Sequence, residues 1–157
     1  MKVIIVSFAL GLLLGVLLIS QLDISSAELQ IPYTLNSPEL MSPSDSIKES
    51  QIHVYEKRIV IDIDAQWARI MDTNSMEPFL DKGANALQII PKSKEDIHIG
   101  DVISYQSENG IIIHRVIAIE EDEEGIYYTL KGDNNELPDP VKVRFSDILR
   151  KLVGVLY

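Results

Sequence analysis

Residues 102–120 read VISYQSENGIIIHRVIAIE. Two runs rich in β-branched residues, 102–106 and 111–120, surround the turn signal Glu108-Asn109-Gly110. Polar residues ending in glycine between two apolar runs are typical of a β-hairpin, because glycine supplies the positive φ that a tight turn needs. The second run is apolar at almost every position, which predicts a strand buried on at least one face. We therefore expect a β-rich domain around this hairpin.

The chain from residue 52 to residue 157 has the same texture. Further strand candidates are 58–64, 65–71, 86–90, 126–130 and 153–156. Short helical stretches are expected only at 75–80 and 146–151. The predicted fold class is therefore mainly β, as a compact barrel or as two packed sheets.

One long apolar segment lies near the N-terminus. Val3–Leu22 contains 20 residues without a charge, which as a helix spans about 30 Å, the thickness of a bilayer core. Residues 1–22 are therefore predicted to be a single-pass anchor. Because Lys2 precedes the apolar segment, the short N-terminus should be cytoplasmic and the remainder of the chain outside. A cleaved signal peptide is the alternative, since small residues occur at 25–27. Gly11 and Gly15 have the spacing that packs two membrane helices together.

Residues 23–51 alternate prolines and serines with acids, and no strand or helix period persists in them. This composition predicts an extracytoplasmic tether, with 52–157 as the folded domain. The alternative is that the segment folds onto the domain.

Composition restricts the function classes. The chain has 14 Lys and Arg against 24 Asp and Glu, a formal net charge of −10, which argues against a nucleic-acid partner. It has no cysteine, which removes disulfides, thiol nucleophiles and thiolate metal sites. The three histidines lack metal-ligand spacing, so we expect no metal and no cofactor.

Ser75 lies in the phrase Asn74-Ser75-Met76-Glu77-Pro78. The proline disfavours helical backbone before it, so the serine is expected at a strand-to-turn junction. Such a junction exposes the hydroxyl and directs backbone N–H groups, including that of Ser75, into one pocket, as an oxyanion hole requires. Thr73 can add a hydroxyl donor. The alternative is that Ser75 only opens a turn or a short helix.

His114 lies inside the apolar strand candidate 111–120. An unsatisfied ring nitrogen there costs roughly 1–3 kcal/mol, so the ring needs partners. Histidine titrates near neutral pH and is the natural general base for a serine, although a purely structural histidine fits the same position. Arg115 should point to the opposite face and pair with an acid.

Asp133 and Asp139 lie in KGDNNELPD, residues 131–139. Gly132-Asp133-Asn134 is typical turn chemistry, and an aspartate there can simply cap the turn. Alternatively, either aspartate accepts the Nδ1–H of His114 and fixes the tautomer of the ring.

Together and in this order, these phrases resemble the type I signal peptidase family, in its archaeal and endoplasmic-reticulum branch. The resemblance spans about residue 68 to the C-terminus. The matching phrases are Ser-Met-Glu-Pro from Ser75, Gly100-Asp101-Val102, residues 113–117 around His114, and residues 131–135 around Asp133. The bacterial branch carries lysine where His114 stands.

The resemblance implies Ser75 as nucleophile, His114 as general base, and Asp139 and Asp133 as the two aspartates of the branch. Met76 would help line the pocket for the −1 residue. The implied reaction is cofactor-free removal of signal peptides from secreted pre-proteins at the outer membrane face. Substrates would bind extended beside strands, with small residues at −1 and −3. The implied partners are pre-protein signal peptides, the lipid bilayer and the translocation machinery.

Two features depart from the family pattern. Phe79 stands where the family commonly has a small residue or threonine, and 52 residues separate Leu22 from Ser75. Two further hypotheses therefore stay open. One is a processing protease with a different substrate, and the other is an anchored module that binds extended peptides without cleaving them.

Overall fold

The computed structural model describes residues 40–157. The predicted anchor at 1–22, with Gly11 and Gly15, and most of the predicted tether lie outside the described residues. Within residues 40–157, no helix is long and apolar enough to cross a membrane.

Strands dominate the described part of the chain, which confirms the predicted mainly β class. They are β1 (Ile52–Tyr55), β2 (Arg58–Ile61), β3 (Gln66–Arg69), β4 (Asn85–Ile89), β5 (Val102–Ser107), β6 (Gly110–Asp122), β7 (Gly125–Lys131) and β8 (Ile148–Leu156). Three single-turn 3-10 helices accompany them: Glu49–Gln51, Lys94–Asp96 and Phe145–Asp147.

Strands β1 and β2 form a two-stranded sheet of their own, and the other six form one antiparallel sheet in the order β3-β4-β8-β5-β6-β7. Within the described residues, this six-stranded sheet with a separate hairpin replaces the barrel or packed sheets that the sequence predicts. The β5–β6 hairpin forms where predicted: Ser107 pairs with Gly110 across a two-residue turn, and the positive φ of 117° falls on Gly110.

Two apolar clusters form the core. One contains Ile103, Tyr105, Val116, Tyr128, Leu130 and their neighbours, and the other contains Ile70, Met76, Leu80, Val102, Leu152 and theirs. Alternation along β5 sends Val102 to the second cluster and Ile103 and Tyr105 to the first. His114 of β6 lies directly opposite Ile103, so it shares the face of Tyr105.

Two local predictions are wrong. Residues 75–80 form consecutive turns rather than a helical stretch. In 146–151 the helical part ends at Asp147 and β8 begins at Ile148, because the chain there pairs with β5 on one side and with β4 on the other. Most of the predicted helical stretch 146–151 is therefore strand.

Residues 40–157 form one compact unit, which includes residues N-terminal to position 52. The backbone N–H of Ser44 donates to Asp101 Oδ1 at 2.7 Å, and Lys151 Nζ lies 2.9 Å from Asp101 Oδ2. Gly100 packs against the backbone of Ser42 so closely that any side chain there would clash with the Ser42 carbonyl. The last part of the predicted tether is thus integral to the domain, as in the alternative left open above.

Candidate active site

Three of the side chains singled out in the sequence lie in one hydrogen-bonded row. Ser75 Oγ is 3.1 Å from His114 Nε2, and His114 Nδ1 is 2.8 Å from both carboxylate oxygens of Asp139. The His114 and Asp139 side chains are 8% and 9% exposed. Since Nδ1 faces a carboxylate, it carries the proton, and Nε2 keeps the lone pair that accepts the serine O–H.

His114 is buried because it lies in the apolar strand β6. The pairing of β5 with β6 fixes its height in the sheet opposite Ile103. Asp139 follows β7 in the chain, and its backbone N–H donates to the carbonyl of Leu130 at 2.8 Å. The carboxylate is therefore attached to the edge of the same sheet that carries the histidine.

The turn that presents Ser75 is held by the loop 132–135. Asn134 donates its backbone N–H to the Ser75 carbonyl at 3.0 Å and its side-chain amide to the Asn74 carbonyl at 3.1 Å. Asn74 adopts a φ of 59° in the left-handed region, which asparagine tolerates better than most residues. A Cβ on Gly132 would lie 2.5 Å from the Ser75 carbonyl oxygen, so only glycine permits this approach.

Thr73 and the backbone of Ser75 are the predicted oxyanion donors. Thr73 Oγ1 lies 3.3 Å from Ser75 Oγ, and its side chain is exposed. Among residues 40–157, no acceptor takes the backbone N–H of Ser75. Both groups border the serine hydroxyl, where an oxyanion would need donors.

Asp133 does not join His114. Its carboxylate is bidentate with Arg115, with Nε to Oδ1 at 2.8 Å and Nη2 to Oδ2 at 2.6 Å. Arg115 also donates to the carbonyl of Gly100 at 2.8 Å. Alternation along β6 explains the division, because Arg115 and His114 point to opposite faces and each selects its own aspartate.

Met76 is placed in the core rather than on an open pocket wall. It is 2% exposed and packs in the second cluster with Leu80 and Ala84, and the backbone N–H of Asp133 approaches its sulfur at 3.5 Å. The side chain therefore supports the serine turn from within. Phe79 is 37% exposed and lies 5.1 Å beneath the Arg115 guanidinium.

Sequence reasoning missed two residues of the site, Asn134 and Tyr105. The hydroxyl of Tyr105 donates to Asp139 Oδ2 at 2.8 Å. Burial, this hydrogen bond and the charge of the carboxylate raise the pKa of Tyr105 above its ordinary value, so the hydroxyl stays protonated and donates. A buried tyrosine needs a partner for its hydroxyl, and that signal becomes specific only once the β5–β6 register is known.

No protein-family model matches the chain, and no curated protein matches it either. Among residues 40–157, no group of three or more His, Asp or Glu side chains is arranged to hold a metal ion.

Proposed function

We propose that the protein is a membrane-anchored serine endopeptidase of the signal peptidase type, which removes signal peptides from secreted pre-proteins. One observation carries the proposal: the row of hydrogen bonds from Ser75 through His114 to Asp139. A serine, a histidine and a buried carboxylate in this order form the arrangement that activates a serine for acyl transfer.

The reaction follows from the proton positions. Ser75 Oγ attacks the scissile carbonyl while its proton passes to His114 Nε2, and Asp139 stabilises the resulting imidazolium. The Ser75 N–H and the Thr73 hydroxyl donate to the oxyanion. The C–N bond then breaks as Nε2–H protonates the leaving amine, which leaves an ester on Ser75. Water gives a proton to Nε2 as its oxygen attacks the ester carbonyl. The C–Oγ bond then breaks, Nε2–H returns the proton to Ser75 Oγ, and the new carboxyl terminus of the peptide leaves.

The substrate class rests on the resemblance and on the apolar segment at the N-terminus. An anchor at 1–22 would keep the site at the outer membrane face, where signal peptides are delivered by translocation machinery. Strand β3 ends the six-stranded sheet, and the chain from β3 leads directly to Ser75. An extended peptide can therefore add to this edge by backbone hydrogen bonds next to the serine.

The test is cleavage of a pre-protein with an Ala-x-Ala site by the full-length protein in detergent. Wild type should cleave after the −1 alanine, and Ser75→Ala should lose cleavage. Ser146→Ala is the matched control, because Ser146 is exposed and its hydroxyl contacts only its neighbour Asp147 at 3.4 Å among the described residues. Undiminished cleavage by Ser75→Ala would overturn the proposal. Cleavage that ignores the −1 residue would instead favour a processing protease with another substrate.

A further inference from the structure

Tyr105 is a buried polar side chain that the triad mechanism does not use. It is 1% exposed and packs in the first core cluster. Its hydroxyl nevertheless reaches the carboxylate that faces His114, at 2.8 Å from Asp139 Oδ2. The row of hydrogen bonds therefore has a fourth member at its inner end.

We propose that Tyr105 is a positioning residue, which holds the Asp139 carboxylate against His114 and thereby sets how readily His114 takes the serine proton. The inference rests on the proposed function for its catalytic consequence. Its electrostatic part concerns Tyr105, Asp139 and His114 alone and can be measured without substrate.

Two side chains donate to the Asp139 carboxylate. Among residues 40–157, Asp139 accepts side-chain hydrogen bonds from His114 and Tyr105. The backbone N–H of Asp139 is occupied by Leu130. Tyr105 is thus the donor that keeps the carboxylate from rotating while His114 changes its protonation state. A hydrogen bond to a charged group is stronger than one between neutral groups.

Loss of the hydroxyl has a defined electrostatic direction. Without the Tyr105 donor, the negative charge of Asp139 acts more strongly on the Nδ1–H of His114. The imidazolium is then stabilised, so Nε2 keeps its proton to higher pH and is unavailable as a base over a wider acid range. A purely structural tyrosine would instead affect stability and leave the titration of His114 unchanged.

The chain provides a matched control. Tyr128 is also buried, at 0% exposed, and lies in the same core cluster. Its hydroxyl donates to the carbonyl of Lys94 at 3.4 Å and not to the site. Tyr128→Phe therefore removes the same atom from the same cluster without touching Asp139.

The decisive experiment is a histidine NMR titration of the full-length protein in detergent. The chain has only three histidines, so His53 and His98 serve as internal references. Tyr105→Phe should move the titration midpoint of His114 to higher pH and leave the other two unchanged, whereas Tyr128→Phe should move none. An unchanged His114 midpoint in Tyr105→Phe would overturn the proposal.

Kinetics give the catalytic consequence. Among residues 40–157, only His114 would still donate a side-chain hydrogen bond to the Asp139 carboxylate in Tyr105→Phe. The ring is then less firmly oriented toward Ser75, so kcat should fall about ten-fold with little change in KM. The stabilised imidazolium should move the acid limb of the pH profile to higher pH. If Ser75→Ala kept its activity, the proposed function would fail while the NMR titration still decided the role of Tyr105.

Should Tyr105→Phe not fold, 3-fluorotyrosine at position 105 retains the ring and strengthens the donor. It should move the His114 midpoint downward, and no movement would contradict the proposal.

Discussion

The domain contains two polar clusters of nearly the same composition. The Ser75 cluster consists of Ser75, His114 and Asp139, and the Ser44 cluster consists of Ser44, Lys151 and Asp101. Both combine a serine, a basic side chain and an aspartate within hydrogen-bonding distance. Only the direction of the protons separates them.

In the Ser44 cluster, the ammonium group of Lys151 has no lone pair with which to accept a proton. Lys151 Nζ donates to Ser44 Oγ at 2.7 Å and to the carbonyl of Asp96 at 2.8 Å, and it lies 2.9 Å from Asp101. The hydroxyl of Ser44 donates to Asp101 at 3.0 Å instead. Asp101 is 0% exposed and Lys151 3%, so this cluster binds residues 42–44 to the sheet as a structural element.

In the Ser75 cluster, the ring of His114 divides the two tasks. Nδ1 donates to Asp139, and Nε2 accepts from a half-buried serine at the surface of the domain. A side chain with one donor and one acceptor can relay a proton, whereas a saturated ammonium group cannot. Residue composition therefore does not distinguish these two clusters, and hydrogen-bond direction does.

His114→Lys should give the Ser75 cluster the same three residue types as the Ser44 cluster. A lysine would pair with Asp139 as a charged group and could not take the serine proton, so we expect pre-protein cleavage to fall about 10³-fold or more. The measurement is kcat/KM beside His114→Ala. Activity well above that of His114→Ala would show that a lysine base works in this setting.

Asp139→Asn and Asp133→Asn test which aspartate serves the base. Asp139→Asn should lower kcat about 10³- to 10⁴-fold, because the amide no longer fixes the tautomer of His114. Asp133→Asn should keep most of the activity and reduce thermal stability, since it weakens the pair with Arg115. Equal losses of activity in the two variants would contradict the assignment.

Lys151→Met should reveal the structural role of the Ser44 cluster. It leaves the Asp101 carboxylate buried without its cation, which costs about 3–5 kcal/mol of unfolding free energy. Denaturant unfolding measures this loss, and cleavage per folded molecule should not change. A variant as stable as wild type, or one folded but inactive, would argue against a purely structural cluster.

The ion pairs of Asp122, at the end of β6, with Lys142 and Arg144 should give the smallest effect. Hydrogen bonds from Lys142 and Arg144 lower the pKa of Asp122 from 3.8 to about 2. A carboxylate whose pKa is lowered by folding adds stability at pH values above its pKa in the unfolded chain. That contribution disappears as the pH falls from about 4 to about 2. Asp122→Asn should therefore narrow the stability difference between pH 5 and pH 2 in thermal melts. An unchanged difference would contradict this role.

The sequence predicts the β5–β6 hairpin well because its signals are local: β-branched runs and a turn ending in glycine. Ser75 and His114 could be identified from residue type and neighbouring residues. The choice between Asp133 and Asp139 could not, since both follow β7 in one loop. The choice depends on the bidentate pair that Asp133 forms with Arg115, which lies on the other face of β6.

The start of β8 and the boundary of the domain depend on contacts between residues distant in sequence. Lys151 pairs with Asp101 and Ser44 only in the folded chain, and Ser44 is 107 positions away in sequence. The hydrogen bond of Tyr105 cannot be predicted from local sequence for the same reason, because its partner Asp139 is 34 positions away. Local patterns determine strands and candidate side chains, whereas these clusters arise from long-range packing.

The most direct measurement is to identify the serine that becomes acylated. The full-length protein in detergent is incubated with a serine-directed lipopeptide acylator and then mapped by peptide mass spectrometry. We predict a covalent adduct on Ser75 that is absent in Ser75→Ala and in His114→Ala, with Ser44 unmodified. An adduct on Ser44 or on another serine, or pre-protein cleavage that continues without modification of Ser75, would contradict the central claim.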